Sequence, residues 1–329
     1  MNRARTEGIR ITARTIRIGL GTVWLFDGVL QLQPRMFGPA FASQVIRPNA
    51  GGQAGLVAWS IDEMARLVSV HPAASNWIFA AVQILIGVGL LRPATARPAL
   101  VLSFFWAAGV WTFGEGIGML LTGTASPLSG APGAVLLYAL IGVVAWPRRS
   151  AGVAPGGRDS AAAAGPLGDG GTRVAWAVLW LGMASLWLLP ANDGPDAVSG
   201  ALRAAAGSSP IWLAHVQIWM AGILRGDGTA VAVALAVLSA AIGVGPLSRR
   251  PTVFLILGAA LSVDFWILGQ SFGGIVTGLA TDPNTGPLFV LLALALFRNE
   301  IAPSASRAGG PAPATVPLTG GDDRTLVPA

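Results

Sequence analysis

The chain has 329 residues, 53% of them hydrophobic and only 11% charged, with a mean hydropathy of +0.64; soluble domains carry about 25% charge, so this balance points to a polytopic membrane protein. All 21 basic residues are arginine and the net charge is +6, but they fall in short segments between apolar runs, which is the pattern of cytoplasmic loops and excludes a nucleic-acid-binding patch. The absence of cysteine excludes disulfides, thiolate nucleophiles, Cys-ligated zinc and iron–sulfur clusters.

Arg3, Arg5, Arg10, Arg14 and Arg17 precede the first apolar run, as in a secretory leader. No small-residue cleavage site follows it, and a similar run recurs in the second half, so a retained first transmembrane helix is expected. Candidate spans of about 17–25 residues, some shorter, are 16–33, 76–91, 99–121 and 133–146, then 174–189, 229–244, 252–270 and 287–297. Arg92, Arg97, Arg148, Arg149, Arg249, Arg250 and Arg298 share one side if eight helices alternate. That places both termini in the cytoplasm of a bacterial inner membrane protein.

Residues 55–70 alternate Leu56, Trp59, Ile61, Met64, Leu67 and Val68 with Ser60, Asp62, Glu63 and Arg66, the spacing of an amphipathic helix at the outer interface. The corresponding 211–225 segment is more apolar, and reads either as interfacial or as a further span. His71-Pro72 marks a helix end. No ligand-spaced cluster surrounds His71 or His215, so no metal site is expected.

Internal repetition organises the whole chain. WTFGEGIGMLLTGTASPLSGAP at 111–132 matches WILGQSFGGIVTGLATDPNTGP at 266–287, pairing Trp111 with Trp266, Glu115 with Gln270 and Gly118 with Gly273. Ile86-Gly87-Val88-Gly89 recurs as Ile242-Gly243-Val244-Gly245 at nearly the same offset of about 155 residues. The expected fold is an all-α polytopic bundle of two parallel four-helix repeats, about eight transmembrane helices, each repeat with an interfacial helix. The divisions are a first unit at 1–147, a flexible cytoplasmic linker at 148–173, a second unit at 174–298 and a disordered tail at 299–329.

Carboxylates inside such spans are costly, about 2.5–3.5 kcal/mol at a helix centre, and need a partner or a purpose. Asp27, Glu115 and Asp264 are the three. Trp24, Asp27 and Gln31 share a helical face, as do Trp111, Glu115 and Gly118, while Gln83 supplies a neutral partner. The repeat places Met183, Gln270 and Gly109 opposite the three acids, so packing alone does not demand charge there. An outward-facing polar pocket is expected around Asp27, Glu115, Gln83 and Asp264, with Trp24, Gln31, Trp111 and Gln270 nearby.

RIGLGTVWLFDGVLQL at 17–32, an interfacial helix, VQILIGVGLLRPATA at 82–96 and a third apolar span together resemble the DoxX/DoxD-like membrane proteins. The resemblance covers 17–146 and, more weakly, 174–297, so the chain looks like a tandem duplication of that unit. It implies quinone-linked redox chemistry, thiosulfate oxidation or an oxidative-stress complex; for a quinone, Glu115 is the leading proton acceptor or donor with Asp27 beside it, Trp111 is a stacking wall, and a membrane or peripheral redox protein is the partner. Two other readings stand beside it. One is a small-solute or proton-coupled transporter, and the other a non-catalytic scaffold subunit in the lipid bilayer; none of the three involves nucleic acid.

Overall fold

The computed structural model describes residues 11–147 and 165–301. Arg3, Arg5, Arg10, Arg148 and Arg149, the expected linker up to residue 164 and the expected tail beyond 301 lie outside the described residues. Among the described residues every regular element is helical. The first half contains α1 (Ala13–Gln31), the single turn α2 (Pro39–Phe41), α3 (Gly55–Val70), α4 (Pro72–Leu91), α5 (Ala96–Gly109) and α6 (Ala134–Val144). The second contains α7 (Gly168–Trp187), α8 (Ala197–Ala206), α9 (Ile211–Ile223), α10 (Gly228–Val244), α11 (Pro251–Leu268) and α12 (Thr285–Ile301).

Helix starts follow local chemistry. Thr12 and Thr15 exchange side-chain and backbone hydrogen bonds in a capping box at the head of α1. Pro72 and Pro251 occupy the first turns of α4 and α11, where no N–H is needed. Arginines also hold carbonyls at or just beyond helix ends: Arg17 donates to the Arg92 carbonyl at 3.4 Å and Arg97 to that of Pro147 at 2.8 Å, with Arg173 bonding that of Pro246. Helix α7 begins at Gly168, inside the segment expected to be linker. Helix α12 likewise runs to Ile301, into the segment expected to be tail.

Among the described residues, four stretches are long and apolar enough to cross a membrane: Pro72–Leu91, Pro93–Gly114, Gly228–Leu247 and Pro251–Thr277. Their outer faces carry exposed Trp77, Ile78, Leu85, Phe105, Val237 and Ile256, side chains suited to lipid. The protein is therefore read as a helical membrane protein. Helix α6 has 11 residues, ~16 Å of helix, about half of a bilayer core. Helix α9, with 13 residues, is also too short to cross alone. The expected third span at 99–121 is not one helix. It ends at Gly109, widens into a π turn at Val110–Gly114 and then reverses hand, because Ile117, Gly118 and Met119 all take positive φ.

Helix α3 occupies the interval expected of it, but it is not amphipathic in the simple sense. Ile61, Ala65 and Val68 are buried over Met36, Phe41 and Ile46, while Leu56, Trp59, Leu67 and Val70 are exposed on its other side. Its charges pair locally: Arg66 Nε donates to Glu63 at 2.7 Å, and that bond holds the Glu63 carboxyl below its ordinary range.

One core runs through both halves, from Ile16, Leu20 and Trp24 through Leu137 and Ile141 to Trp176, Trp180 and Leu292. Helix α1 packs on α4 and α7 on α10, while α6 and α12 meet across the halves. The α1–α4 contact depends on glycine. A Cβ on Gly87 would stand 2.8 Å from the Leu25 nitrogen and 2.9 Å from the Gly21 carbonyl oxygen, distances that only backbone movement relieves.

Gly87→Ala is therefore expected to destabilise the protein by about 1–3 kcal/mol. Gly182→Ala, at a helical position with nothing within 4 Å, should stabilise it by about 0.5–1 kcal/mol. Thermal unfolding of the detergent-solubilised variants measures both, and equal midpoints would contradict the close-packing account.

Candidate functional site

The site is built on an unusual stretch of backbone. Where α5 ends, the Glu115 N–H reaches back five residues to the Val110 carbonyl at 2.8 Å, and Gly118 N–H bonds the Glu115 carbonyl at 2.9 Å. Where α11 ends, Gln270 N–H bonds Phe265 at 2.9 Å and Gly273 N–H bonds Gln270 at 2.8 Å. Both turns then pass through four consecutive positive-φ residues: Gly116, Ile117, Gly118 and Met119 in the first, Ser271, Phe272, Gly273 and Gly274 in the second. A β-branched residue at φ +57° is strained, on the order of 1–3 kcal/mol, and persists only when its surroundings fix it. At Gly118 a Cβ would collide with the Pro132 carbonyl. That same carbonyl accepts the Trp111 indole N–H at 3.0 Å.

Glu115 holds this turn to the next helix. Its Oε1 accepts the backbone N–H groups of Ala134 at 3.1 Å and Val135 at 3.3 Å, the open donors at the start of α6. Gln270 makes the neutral counterpart at the start of α12. Its Oε1 accepts Gly286 N–H at 3.3 Å, and its Nε2 donates to the Thr285 hydroxyl at 2.9 Å. Half of Glu115 is thus a helix cap that an amide also performs. Its second oxygen, Oε2, has no partner.

Asp27 sits at the same level on α1 and is 1% exposed. Tyr138 of α6 donates its hydroxyl to Asp27 Oδ2 at 2.6 Å, and the Tyr138 ring lies 4.6 Å, centroid to centroid, from Trp24. Asp27 Oδ1 has no partner.

Between these groups lies a cavity of about 250 Å³. Trp24, Asp27, Gln31, Gln83, Glu115 and Tyr138 form its polar wall; Phe79, Phe105, Trp106 and Phe113 form much of its apolar wall, roofed by Met64 of α3. Phe105, 75% exposed, stands at the rim, so the opening faces sideways out of the bundle. The polar atoms left open around the cavity are Trp24 Nε1, Asp27 Oδ1, Gln31 Oε1, Gln83 Oε1, Trp106 Nε1 and Glu115 Oε2. Buried groups without partners are rare in folded proteins, and each of these calls for an explanation.

The structure brings together Trp24, Asp27, Gln31, Gln83 and Glu115. It does not bring Trp111, Asp264 or Gln270. Trp111 is tied to Pro132 outside the cavity and is not a stacking wall. Gln270 is committed to α12. Asp264 lies on the exposed side of α11 with Val263, Ile256 and Val253, opposite the buried Leu255, Gly258, Ser262 and Phe265. The helical phase of α11 thus takes it away from the pocket it was expected to complete. A carboxylate from the second half does enter, but it is Asp282, in the turn before α12. Its oxygens accept the Thr281 hydroxyl at 2.8 Å and the Asn284 N–H at 2.7 Å. Burial pushes its carboxyl above the ordinary range, against the effect of those two bonds.

Sequence reading missed Tyr138 and Asp282. Tyr138 had a signal, being the chain's single tyrosine within an otherwise aliphatic run. Asp282 had none, since TDPNTGP reads as an ordinary turn. Among the described residues no group of three His, Cys, Asp or Glu is placed to hold a metal ion.

The fold and site define a helical membrane protein with a carboxyl-lined cavity reached from its side. No protein-family model matches the chain, nor does any curated protein or any solved structure.

The double function of Glu115 separates its variants. Glu115→Gln keeps the cap through its amide oxygen and should unfold within about 0.5 kcal/mol of the parent, whereas Glu115→Ala should lose about 0.5–2 kcal/mol. Tyr138→Phe leaves Asp27 Oδ2 buried without its partner and should cost about 1–3 kcal/mol. Denaturant unfolding followed by tryptophan fluorescence measures all three.

Proposed function

We propose that the chain is a multi-pass membrane protein of two parallel four-helix units whose first unit binds a small solute and exchanges protons with it, as in a proton-coupled carrier. The convergence of Asp27, Glu115 and Asp282 on one aromatic-walled cavity, with no arginine or histidine in its lining, carries this reading. Carboxyls in that setting protonate when empty and ionise when a partner arrives, which is the physical basis of proton coupling.

The two-unit reading is supported by the backbone parallels at Glu115 and Gln270. In register with Asp27, Gln31 and Gln83 the second half has Met183, Trp187 and Ser239, and in register with Tyr138 it has Ala293. All four are buried, and Trp187 packs against Phe265 at 5.6 Å. The position equivalent to the cavity is packed mainly with apolar side chains, Ser239 being the exception. One unit keeps the space and the other fills it, so the cavity is not a requirement of the architecture.

A second reading, quinone-linked redox chemistry of DoxX/DoxD type, is favoured by one observation. The unpartnered Trp24 and Trp106 indole N–H groups are donors suited to a quinone carbonyl. The two readings share Asp27 and Glu115 as proton-exchanging groups, and differ in whether electrons arrive.

The test is purification in mild detergent, native mass spectrometry of the bound small molecules, and substrate-dependent proton uptake in vesicles. The parent is expected to retain a ligand that the Asp27→Asn/Glu115→Gln double variant loses, with proton uptake lost in parallel. A double variant that folds and keeps both properties would establish a purely structural role for the carboxyls. Turnover with an added quinone would select the second reading.

A further inference from the structure

Resting on the small-solute reading, we infer that the cavity is a receptor for an organic ammonium group, taken either from a free amine or from the headgroup of a lipid reaching in past Phe105. Charge is the first argument. Three carboxyls line the space, and the chain contains no lysine with which to balance them. Among the described residues the ion pairs are Arg47 with Asp62 and Arg66 with Glu63, none of them buried and none of them in the lining. An ionised carboxyl in a low-dielectric interior is strongly unfavourable without a counter-cation, and with no basic residue in the lining the cation that accompanies ionisation here comes from outside.

Shape and wall chemistry narrow the cation. The carboxyls do not form a cluster able to hold a metal ion, and a hard cation needs oxygens on all sides. Much of the remaining wall is aromatic, interleaved with aliphatic residues such as Val45, Ile46 and Met64. Phe41 meets Phe79 edge to face at 6.0 Å, and Phe79 meets Trp106 edge to face at 5.5 Å, with Phe113, Trp24 and Tyr138 also in the lining. Aromatic faces joined to a carboxylate are the chemistry that recognises alkylammonium groups, through attraction of a diffuse positive charge to the ring quadrupole. Asp27 Oδ1 and Glu115 Oε2, the two open carboxyl oxygens, serve as the charge partners, with Gln31 and Gln83 as neutral acceptors for an N–H or hydroxyl.

The lateral mouth adds a feature that a pocket for a purely water-soluble amine does not need. Phe105 belongs to the apolar outer face of α5. A ligand with an alkyl tail can leave that tail in the bilayer while its ammonium group sits among the carboxyls.

The experiment compares choline with 3,3-dimethylbutan-1-ol, its uncharged carbon isostere, by tryptophan fluorescence titration of the full-length protein in detergent. Choline is expected to bind at least about tenfold more tightly than the isostere. That advantage should disappear in the Asp27→Asn/Glu115→Gln variant. Equal affinities for the two probes in the parent protein, or an advantage that survives in the variant, would overturn the inference. The parent comparison stands even if the variant does not fold. Decylubiquinone is titrated alongside as a neutral ligand: binding of the quinone without choline rejects the ammonium assignment but leaves a working small-molecule site, and binding of neither rejects both. Native mass spectrometry from nanodiscs separates the sources. Retained phosphatidylethanolamine with displaced phosphatidylglycerol identifies a headgroup, and no retained lipid alongside choline binding identifies a free amine.

Discussion

The cavity depends on one interaction, the acceptance by Glu115 of the first backbone N–H groups of α6. Helix α6 is too short to cross a bilayer, so the chain between α5 and α6 has to run as irregular backbone within the bundle. Such backbone survives at that depth only if it is buried in protein or lines a cavity. Glu115 meets that demand by closing the donors of α6. The Trp111 bond to Pro132 and the close approach of Gly118 fix the intervening loop from the other side. With α6 anchored, Tyr138 is carried to Asp27, and the space between α1, α4, α5 and α6 acquires its polar wall.

The same device without charge, Gln270 at the head of α12, separates architecture from chemistry. Glycines, the wide turn, the left-handed residues and the cap are common to both places. The ionisable oxygen, the tyrosine and the open volume belong to one. On the proposed two-unit reading, Gln31 against Trp187 and Asp27 against Met183 describe a space that one half keeps and the other fills. Charge without counter-charge on the open side is what gives that difference chemical meaning.

The elements were largely readable from sequence, because apolar runs interrupted by arginine and proline leave few choices; α3, α4 and α10 fall within a few residues of expectation. The break after Gly109 was not readable, since Gly116 and Gly118 permit a left-handed turn that Ile117 and Met119 disfavour, and the tertiary contacts at Pro132 and Asn49 that hold it do not show in the sequence. Asp27, Glu115 and Gln83 stood out because polar atoms in an apolar run require an explanation. Asp264 stood out equally and points elsewhere: α11 is apolar on every side, so its sequence carries no phase to tell a buried carboxylate from an exposed one. Asp282 was hidden for the opposite reason. A turn aspartate is ordinary until the fold carries it across the boundary between the halves.

That crossing gives the cavity a property that neither half has alone. Asp282 reaches the cavity from the second half, in a turn whose Asn284 packs against Gly130 of the first, while Arg35 of the first half holds the Thr277 carbonyl of the second at 2.5 Å. The third acid of the cavity wall is therefore held in place by contacts between the halves, and the wall is complete only with the two seated as they are here.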